Sequence, residues 1–599
     1  MRRSLLSLLV LLTAFPLSAA ITGVVVNGDG QPVAGAKVSI FAPESIEARR
    51  ERLVSNAPDR KPIASMTPGS KGTFTFDSPK DEPVVELDIE ANGFAPEALR
   101  LLADDDAGAV ALTPAAPRLG TITAAGKPVA GATVIWMGDT ADVITRTDAQ
   151  GHYSVPDPAK WANHLTVIHP DFAVLQEVMR PNAVKLDHSL EEGVRVTGRV
   201  VAQDGKTPVA KADLRIDDLP LATTGDDGTF TISAAPANWE EIEARGGNAG
   251  GLRARAGKGA LSIRMAPLAV ISGSVSDAKS RLPLVDAEVR LLPESQMGGR
   301  IRGRGLFGPF GSQVFGAALT DSKGRFTLTV VPGRYTLAAA YPGSEISHAS
   351  VSVTAGQTAN RTLWATANAR VSGTIVDEAR RPLAGARVAF RDANRGGRFM
   401  IVMGGRTSPD LAAISGPDGR FSLRNVTPDT DVRLDATRKG FPSAESATLH
   451  LASGERKSGI MMTIVQGVAL SGKVTDPDGR PLSGVAVRPV QSEGGGMRGF
   501  AVRRVIMTMT FSDDDDIVKT GSDGTFTVHV KPGTYDIVFK REGFATKTLR
   551  GEAINATTEP VSVKLDPGVE ISGRVTRSGA GVEGVAVNAI SEDANANTV

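Results

Sequence analysis

The sequence predicts an all-β protein organised as a tandem array of small β-domains, and three observations lead to this prediction. A short phrase recurs seven times along the 599 residues, for example as VSGTIVDEARRPLAGARVAF from residue 371 and LSGKVTDPDGRPLSGVAVRPV from residue 470. Each copy alternates apolar and polar residues with the period of two that is typical of a half-buried strand. Gly and Pro, the residues of turns, number 65 and 36. Two alternating segments around a turn such as Asp478-Gly479-Arg480-Pro481 predict a β-hairpin in each copy.

The spacing of the copies gives the size of the repeating unit. The glycine near the start of each copy is Gly23, Gly120, Gly198, Gly273, Gly373, Gly472 or Gly573, so the steps are 97, 78, 75, 100, 99 and 101 residues. A step of this length is a whole small domain, because one turn of a solenoid needs only about 20–50 residues. We predict six complete domains, over residues 21–116, 117–193, 194–268, 269–367, 368–467 and 468–567, and an incomplete seventh over 568–599.

A second signature follows the phrase in the first six copies and ends in an aromatic residue. Examples are Thr320-Asp321-Ser322-Lys323-Gly324-Arg325-Phe326 and Gly521-Ser522-Asp523-Gly524-Thr525-Phe526. Asp and Gly predict a turn, and the aromatic begins an inward-facing strand. Two copies then carry Pro-Gly-x-Tyr, as at Pro532-Gly533-Thr534-Tyr535, and several end in Gly-Phe, as at Gly543-Phe544.

This succession resembles the carboxypeptidase regulatory-like domain, a transthyretin-like (prealbumin-like) β-sandwich that occurs in tandem in many secreted bacterial proteins. The resemblance covers nearly the whole chain after residue 20. It implies about seven strands per domain, in two packed sheets with Greek-key connections. It implies no carboxypeptidase active site, because the zinc ligands of the enzymes lie in another domain.

The connections between copies are short and contain proline, as in Asp566-Pro567-Gly568. Such joints predict beads on a semi-rigid string, and six beads in a line would extend on the order of 200 Å. The seventh copy has no aromatic signature before Val599. Two strands cannot close a sandwich core, so we expect either a longer protein or pairing of these strands with another segment or chain.

The N-terminal 20 residues have the composition of a secretory signal peptide. Arg2 and Arg3 precede an apolar run from Leu5 to Phe15, and Ser18 and Ala20 suit a cleavage site. The run is shorter than the roughly 18–20 residues of a membrane-spanning helix. The chain has no cysteine, which for an exported protein is typical of a Gram-negative periplasm or a bacterial exterior. We therefore expect a secreted or periplasmic protein with a cleaved signal peptide, about residues 1–20, and no membrane span.

Candidate catalytic chemistry is sparse. The absence of cysteine excludes a thiol nucleophile, and the seven histidines form no H-E-x-x-H motif. His188-Ser189-Leu190-Glu191 matches the short H-x-x-E pattern of metallocarboxypeptidases, but it lies at the joint between copies 2 and 3. The acidic run Asp513–Asp516 lacks the alternating ligands of a calcium loop and is expected to be a solvated turn. We expect no catalytic residue, no metal and no cofactor.

The longer copies insert extra residues between the second strand of the hairpin and the Asp-Gly turn. Copy 1 inserts a charged stretch, Glu44 to Arg60, which predicts a helical turn or two. Copies 4, 5 and 6 insert Gly- and Arg-rich stretches with Phe and Met at 298–311, 395–406 and 494–511. One interpretation is that these inserts are merely long hairpins, since Met507 to Phe511 alternates well enough to extend a sheet. Because loops on rigid scaffolds carry function and Arg, Phe and Met favour contact surfaces, we predict a ligand-binding surface there. Its candidate residues are Arg300, Arg302, Arg304, Phe307, Phe310, Arg398, Phe399, Arg406, Arg498, Phe500, Arg503 and Arg504.

Three functions are compatible with these features. The first is a non-enzymatic exported scaffold or adhesin-like binding protein, with a protein or cell-surface glycan as partner; 67 basic against 66 acidic residues do not favour nucleic acid. The second is a carbohydrate-binding array, although Trp136, Trp161, Trp239 and Trp364 do not recur at one place in every copy. The third is the accessory region of a longer secreted enzyme, such as a peptidase, whose catalytic domain lies beyond Val599.

Overall fold

A computed structural model shows a succession of β-sandwiches, which we number 1 to 6 along the chain. The structure describes residues 20–55, 60–138, 141–158, 162–178, 185–216, 219–237, 239, 241–247, 249–254, 261–293, 316–345, 347–393, 412–491, 518–569, 572–577 and 580–581. The predicted signal peptide therefore lies outside the described residues, except for Ala20, which begins the first strand. Within those ranges, no helix is both long and apolar enough to cross a membrane.

Sandwiches 1 to 3 have the following elements. Sandwich 1 contains β1 (Ala20–Val26), β2 (Lys37–Phe41), α1 (Ile46–Ser55), β3 (Ala64–Met66), β4 (Thr73–Asp77), β5 (Val84–Glu90), β6 (Glu97–Leu102) and β7 (Asp106–Ala111). Sandwich 2 contains β8 (Pro117–Ala124), β9 (Lys127–Pro128), β10 (Thr133–Gly138), β11 (Asp142–Arg146), β12 (His152–Pro156), β13 (Ala162–Ile168), β14 (Leu175–Val178) and β15 (His188–Leu190). Sandwich 3 contains β16 (Val194–Val201), β17 (Asp213–Ile216), β18 (Leu219–Thr223), β19 (Thr229–Ala235), β20 (Glu241–Gly246), β21 (Ala249–Ala254), β22 (Leu261–Arg264) and β23 (Ala266–Pro267).

Sandwiches 4 to 6 repeat the pattern. Sandwich 4 contains β24 (Ala269–Asp277), β25 (Glu288–Pro293), β26 (Gly316–Leu319), β27 (Arg325–Val330), β28 (Gly333–Ala340), β29 (Ser347–Val353) and β30 (Thr358–Ala365). Sandwich 5 contains β31 (Ala369–Val376), β32 (Arg387–Asp392), β33 (Ala412–Ile414), β34 (Arg420–Val426), β35 (Asp431–Thr437), β36 (Ala444–Glu445), β37 (Leu449–His450) and β38 (Arg456–Thr463). Sandwich 6 contains β39 (Val468–Thr475), β40 (Ala486–Gln491), β41 (Val518–Lys519), β42 (Thr525–Val530), β43 (Gly533–Lys540), β44 (Lys547–Ile554) and β45 (Val561–Lys564).

All six sandwiches share one strand order, which sandwich 6 shows in its simplest form. One sheet has the order β42-β39-β45, in which β39 pairs antiparallel with β42 and parallel with β45. The other sheet has the order β41-β40-β43-β44 and is antiparallel throughout. The chain thus crosses between the two sheets in Greek-key fashion. The predicted fold class, a tandem array of about seven-stranded Greek-key β-sandwiches, is confirmed.

The two sequence signatures meet across the first sheet of every sandwich. Gly23 of β1 pairs with Phe74 of β4, and a Cβ built on Gly23 would lie 2.8 Å from Cε1 of the Phe74 ring. Only glycine leaves room for a ring that folds back over the neighbouring strand. The other five sandwiches repeat this pair as Gly120–Tyr153, Gly198–Phe230, Gly273–Phe326, Gly373–Phe421 and Gly472–Phe526.

The Asp-Gly turns are held by their own aspartates. Oδ1 of Asp321 accepts hydrogen bonds from the backbone N–H groups of Lys323 (2.8 Å) and Arg325 (2.9 Å), and Gly324 takes φ +68°. The side chain therefore replaces the backbone partners that a tight turn lacks. Each sandwich also has its own buried apolar cluster, so each packs around a separate core.

The seventh copy is described only in part. Residues 572–577 and 580–581 form a short antiparallel ribbon of β46 (Thr576–Arg577) and β47 (Ala580–Gly581). The following residues, 582–599, lie outside the described part of the chain. The pairing of this segment with another segment or chain remains a prediction.

Sandwich 1 contacts sandwich 5, although three sandwiches lie between them in the sequence. Ala109 of β7 in sandwich 1 forms an antiparallel bridge with Ile414 of β33 in sandwich 5. This bridge joins sheets of the two sandwiches into one eight-stranded sheet. Sandwich 1 therefore lies beside sandwich 5, because edge strands far apart in the sequence pair with each other, an arrangement on which the sequence made no prediction.

Candidate interaction site

The inserts of sandwiches 4, 5 and 6 leave the fold at one common position. Each lies between the second and third strands of its sandwich, which pair at the edge of the four-stranded sheet. We call these strand pairs the insert roots: β25–β26, β32–β33 and β40–β41. The predicted contact residues between the roots lie outside the described residues; they are Arg300, Arg302, Arg304, Phe307, Phe310, Arg398, Phe399, Arg406, Arg498, Phe500, Arg503 and Arg504.

The insert of sandwich 1 occupies the same position, between β2 and β3, and forms α1. The helix has ten residues, longer than the one or two turns that the sequence predicts. Ser45 caps its N-terminus, since its hydroxyl accepts a hydrogen bond from the N–H of Ala48 at 3.2 Å. Arg52 donates through Nε and Nη2 to both oxygens of Glu44, at 3.1 and 3.0 Å, which ties the helix to the loop before it.

The first turn of α1 packs on the root of sandwich 4. Ile46 is 4% exposed and forms a buried apolar cluster with Leu292, Ala317 and Ala338. Ala317 N donates to Oε2 of Glu47 at 3.3 Å. The start of β26 is therefore held by an apolar side chain and a carboxylate from sandwich 1.

Glu288 of β25 is the polar centre of this contact. Its Oε1 accepts hydrogen bonds from Ile46 N (3.1 Å) and Arg290 Nη2 (2.9 Å), and its Oε2 accepts one from Arg100 Nη1 of sandwich 1 (3.1 Å). Burial favours the neutral acid, but Arg290 and Arg100 outweigh it, so the pKa of Glu288 lies below its usual range. The carboxylate is thus charged, buried and shared between two sandwiches.

A second face of sandwich 1 packs on sandwich 5. Arg370 forms an ion pair with the buried carboxylate of Asp105, and Arg424, 7% exposed, donates from Nη1 to Ala107 O at 2.8 Å. Two turns meet at Gly30 and Gly385, where a Cβ on either glycine would overlap backbone of the other turn. The contact therefore combines close backbone approach at these turns with arginine side chains, and β7 also lies along β34.

The helix α1 also contacts sandwiches 2 and 3 through ion pairs. Nη2 of Arg49 lies 2.6 Å from Oδ2 of Asp142 at the start of β11. Nη1 of Arg245 in β20 lies 3.8 Å from Oε1 of Glu47. One short helix thus contacts three sandwiches besides its own, a role that its charged sequence did not reveal because the partners are distant in the chain.

His188, singled out by the H-x-x-E pattern, has protein partners. It lies in β15, where Nε2 is 2.9 Å from the carbonyl oxygen of Lys185 and Nδ1 is 3.3 Å from Oε2 of Glu177. Burial lowers its pKa. Among the residues that the structure describes, no group of three or more His, Asp and Glu side chains is placed to hold a metal ion. The acidic run Asp513–Asp516 lies outside them.

The tryptophans bear on the carbohydrate-binding alternative. Trp136 and Trp239 belong to the cores of sandwiches 2 and 3, and Trp161 lies outside the described residues. Trp364 of β30 is 43% exposed, with the guanidinium of Arg281 4.3 Å from its ring centroid. A stacking surface for sugars is therefore confined, in the described part, to one site on sandwich 4.

These features define a class of protein: a tandem array of seven-stranded β-sandwiches that vary at one hairpin. The family model of the carboxypeptidase regulatory-like domain matches residues 270–364, 370–462 and 469–566. Sandwiches 4, 5 and 6 are therefore carboxypeptidase regulatory-like domains in tandem, and the resemblance seen in the sequence is confirmed for these three copies. No curated protein matches the sequence.

Several solved structures resemble parts of the chain at low identity. The TIE protein of Bacillus anthracis is 12% identical, covering 75% of this chain and 74% of its own, with a TM-score of 0.17. The shaft pilin SpaA of Lactobacillus rhamnosus GG is 13% identical over 33% of this chain and 96% of its own, with a TM-score of 0.18. BcpA, the major pilin subunit of Bacillus cereus, is 10% identical over 58% and 99%, with a TM-score of 0.14. TM-scores this low support no conclusion about overall arrangement or function.

Proposed function

We propose that the protein is a non-enzymatic, exported scaffold of the adhesin-like type, whose inserts in sandwiches 4, 5 and 6 form its contact surface. The observation that carries this proposal is the common position of the three insert roots, at the same hairpin of each sandwich. A rigid sandwich that varies mainly at one edge hairpin is suited to presenting that hairpin to a partner.

The composition of the inserts indicates the chemistry of the partner. All three combine Arg with Phe or Met and much Gly, as in GGRIRGRGLFGPFG (298–311). Arginine pairs with carboxylates in a bidentate geometry, and Phe and Met supply adaptable apolar area. We therefore expect an anionic partner, either an acidic glycan of a cell surface or an acidic peptide.

Export and the absence of catalysis rest on the sequence. The basic, apolar and small-residue succession of residues 1–20 supports a cleaved signal peptide and a secreted or periplasmic location. Two buried carboxyl groups, Glu288 and Asp142, have shifted pKa values. Both form ion pairs between sandwiches. Such structural pairs perturb pKa values without any catalytic role.

The test replaces three arginines of one insert. Arg300→Ser, Arg302→Ser and Arg304→Ser together should weaken binding to immobilised heparin or poly-glutamate at least tenfold and leave the melting temperature unchanged. The matched control replaces three exposed turn arginines, Arg325, Arg420 and Arg480, by Ser, which removes the same charge elsewhere. Equal binding by the insert variant and the native chain would contradict the proposal.

Carbohydrate binding is the second candidate, and the exposure of Trp364 favours it. Indole rings stack on sugars, and the neighbouring Arg281 can donate hydrogen bonds to hydroxyl groups. A glycan array probed with native chain and with Trp364→Ala separates the two candidates. If Trp364→Ala abolishes binding to neutral glycans while the insert variant still binds them, sandwich 4 is a sugar-binding module.

A further inference from the structure

Sandwich 1 is the common partner of five ion pairs that join different sandwiches. Two of them link it to sandwich 5, one to sandwich 4, and one each to sandwiches 2 and 3. They are Arg370–Asp105, Arg456–Asp104, Arg100–Glu288, Arg49–Asp142 and Arg245–Glu47. The chain is thus closed on itself by charges that converge on its first sandwich.

The apolar part of these contacts is small. The cluster between α1 and sandwich 4 consists of Ile46, Leu292, Ala317 and Ala338. Toward sandwich 5, Gly30 meets Gly385, Gly416 lies close to Val24 and Ala109, and β7 lies along β34, beside the arginine contacts of Arg370 and Arg424. Interfaces of this polar kind within a chain resemble transient protein–protein interfaces, for which relative motion is the default.

The sheet that runs from sandwich 1 into sandwich 5 is also weakly joined. The only register pair between β7 and β33 in the described residues is Ala109 with Ile414. Neighbouring strands within a sandwich share several such pairs, as β1 and β4 do from Ala20–Asp77 to Val24–Thr73. Separation of sandwich 1 from sandwich 5 therefore breaks one bridge and leaves the sheets of both sandwiches complete.

From this geometry we propose that sandwich 1 is a releasable clasp. It docks on sandwiches 4 and 5 at low ionic strength and closes the chain into a loop, and high ionic strength or loss of its charge pairs releases it. Salt screens the ion pairs that reach the surface, such as Arg456–Asp104. In the more buried pairs, both charges regain their hydration when the sandwiches separate, which offsets the lost attraction between them. Release converts the closed chain into the extended string that the short joints permit.

The clasp contacts two of the three insert roots. α1 holds β25 and β26 through Ile46 and Glu288, and β7 pairs with β33. None of the five ion pairs, and no strand pairing in the described residues, joins sandwich 1 to β40 or β41 of sandwich 6. Docking of sandwich 1 therefore constrains the strands that lead into two of the inserts, whether or not the inserts bind a partner.

A disulfide tests the closed state without interference, because the chain has no cysteine. Bridged strand residues have Cα atoms about 4.5–5.5 Å apart, within the range that a disulfide spans. Ala109→Cys with Ile414→Cys should therefore oxidise to an intramolecular disulfide, which a mobility shift on non-reducing gels would show. Failure to oxidise at low salt, or disulfide-linked dimers in place of monomers, would overturn the proposal.

Small-angle X-ray scattering tests the release. Between about 0.05 M and about 1 M NaCl, where the Debye length falls to about 3 Å, the radius of gyration of the native chain should rise by roughly a third or more. The oxidised Cys pair should show no rise. An unchanged radius for the native chain across this range would show a permanent interface and overturn the clasp.

Charge variants provide the second arm. Arg100→Gln with Arg370→Gln should expand the chain at low salt, since each removes the positive charge that the other sandwich pairs with a buried carboxylate. Arg325→Gln with Arg480→Gln, both in exposed turns, is the matched control and should stay closed. The Cys pair, added to the Arg100/Arg370 variant, should restore the compact radius of gyration. This result would show that the sandwiches of the charge variant are folded and have only separated. A variant that stays compact without the disulfide would contradict the proposal.

Discussion

At the scale of residues, one hydroxyl braces the base of the hairpin in five sandwiches. In sandwich 4, Oγ1 of Thr320 accepts a hydrogen bond from Ala287 N (2.9 Å) and donates one to Leu284 O (2.6 Å). The equivalent side chains are Thr147, Thr224, Ser415 and Thr520. The sequence shows these residues just before each Asp-Gly turn, but their role depends on the tertiary contact.

Thr320→Val should destabilise sandwich 4 by about 2 kcal/mol, because the isosteric side chain leaves the buried N–H of Ala287 and the partly buried C=O of Leu284 without this hydroxyl. Thr320→Ser, which keeps the hydroxyl as Ser415 does in sandwich 5, should cost less than about 1 kcal/mol. Hydrogen exchange of the amides of sandwich 4 in the full chain measures both. Equal protection in the Val and Ser variants would refute the brace.

The glycine of the first strand gives a second prediction at this scale. Gly23→Ala places a methyl group against the Phe74 ring and 3.1 Å from Gly108 O, and such overpacking should cost about 2–3 kcal/mol in sandwich 1. Gly28→Ala in the same sandwich is the control, since a Cβ there has no atom within 4 Å. Hydrogen exchange of sandwich 1 should distinguish the two variants. If Gly28→Ala is as destabilising, packing against the ring is not the reason for the glycine.

At the scale of elements, α1 shows how an insert changes the strand beneath it. Asp88 of β5 lies among Glu86, Arg49 of α1 and Arg60. Burial, aided by Glu86 and opposed by Arg49 and Arg60, raises the pKa of Asp88 to about 6. The carboxyl is therefore mostly ionised at pH 7, but its charged form is less favourable in the folded sandwich than in the unfolded chain.

This shift predicts the pH dependence of sandwich 1. Between pH 4 and pH 6 the folded state binds the proton of Asp88 more tightly than the unfolded state, so the free energy of unfolding falls as pH rises. Asp88→Asn should raise the stability of sandwich 1 at pH 7 by about 1–2 kcal/mol and flatten this dependence. Denaturant unfolding at pH 4.5 and pH 7 measures it. Asp77→Asn, on the exposed face of β4, is the control and should show the native slope.

At the scale of the whole molecule, the joints between neighbouring sandwiches differ from the contacts of sandwich 1. Between sandwiches 5 and 6, the rings of Phe441 and His529 stack with centroids 5.4 Å apart, and His529 N donates to Gly440 O at 2.8 Å. Phe94 and Phe544, each from a Gly-Phe signature, form bridges with Pro114 and Pro567. The Gly-Phe signature therefore lies at the end of a sandwich, and in sandwich 5 its Phe441 contacts the next sandwich.

His529→Ala should loosen this joint by removing a stacking contact worth about 1 kcal/mol and the contact of Nδ1 with Gly440 O at 3.1 Å, while keeping the backbone hydrogen bond. Spin labels at Lys457→Cys and Glu559→Cys, both exposed, report the distance between sandwiches 5 and 6 by electron paramagnetic resonance. We expect a broader distance distribution than in the native chain. His450→Ala, on the surface of sandwich 5, is the control and should leave the distance distribution unchanged. If His529→Ala has a distribution as narrow as the native chain, the backbone alone sets the orientation of sandwich 6 against sandwich 5.

The sequence by itself determined the repeat, the strands and the turns. Strand alternation, Asp-Gly turns and the paired signatures of Gly273 and Phe326 lie within one copy of the repeat, so a single copy predicts them and the recurrence in six copies strengthens the prediction. The position of the inserts followed from the same comparison, and so did the helical character of the segment around α1.

Only the tertiary structure decided which sandwiches meet. The bridge from Ala109 to Ile414, the shared carboxylate of Glu288 and the contact of Gly30 with Gly385 join residues hundreds of positions apart. Such contacts depend on the shapes and charges of whole surfaces, and a surface arginine or a turn glycine has no local pattern that names its partner. The period of the chain therefore predicts each sandwich, whereas the closure of the chain by its first sandwich becomes visible only in three dimensions.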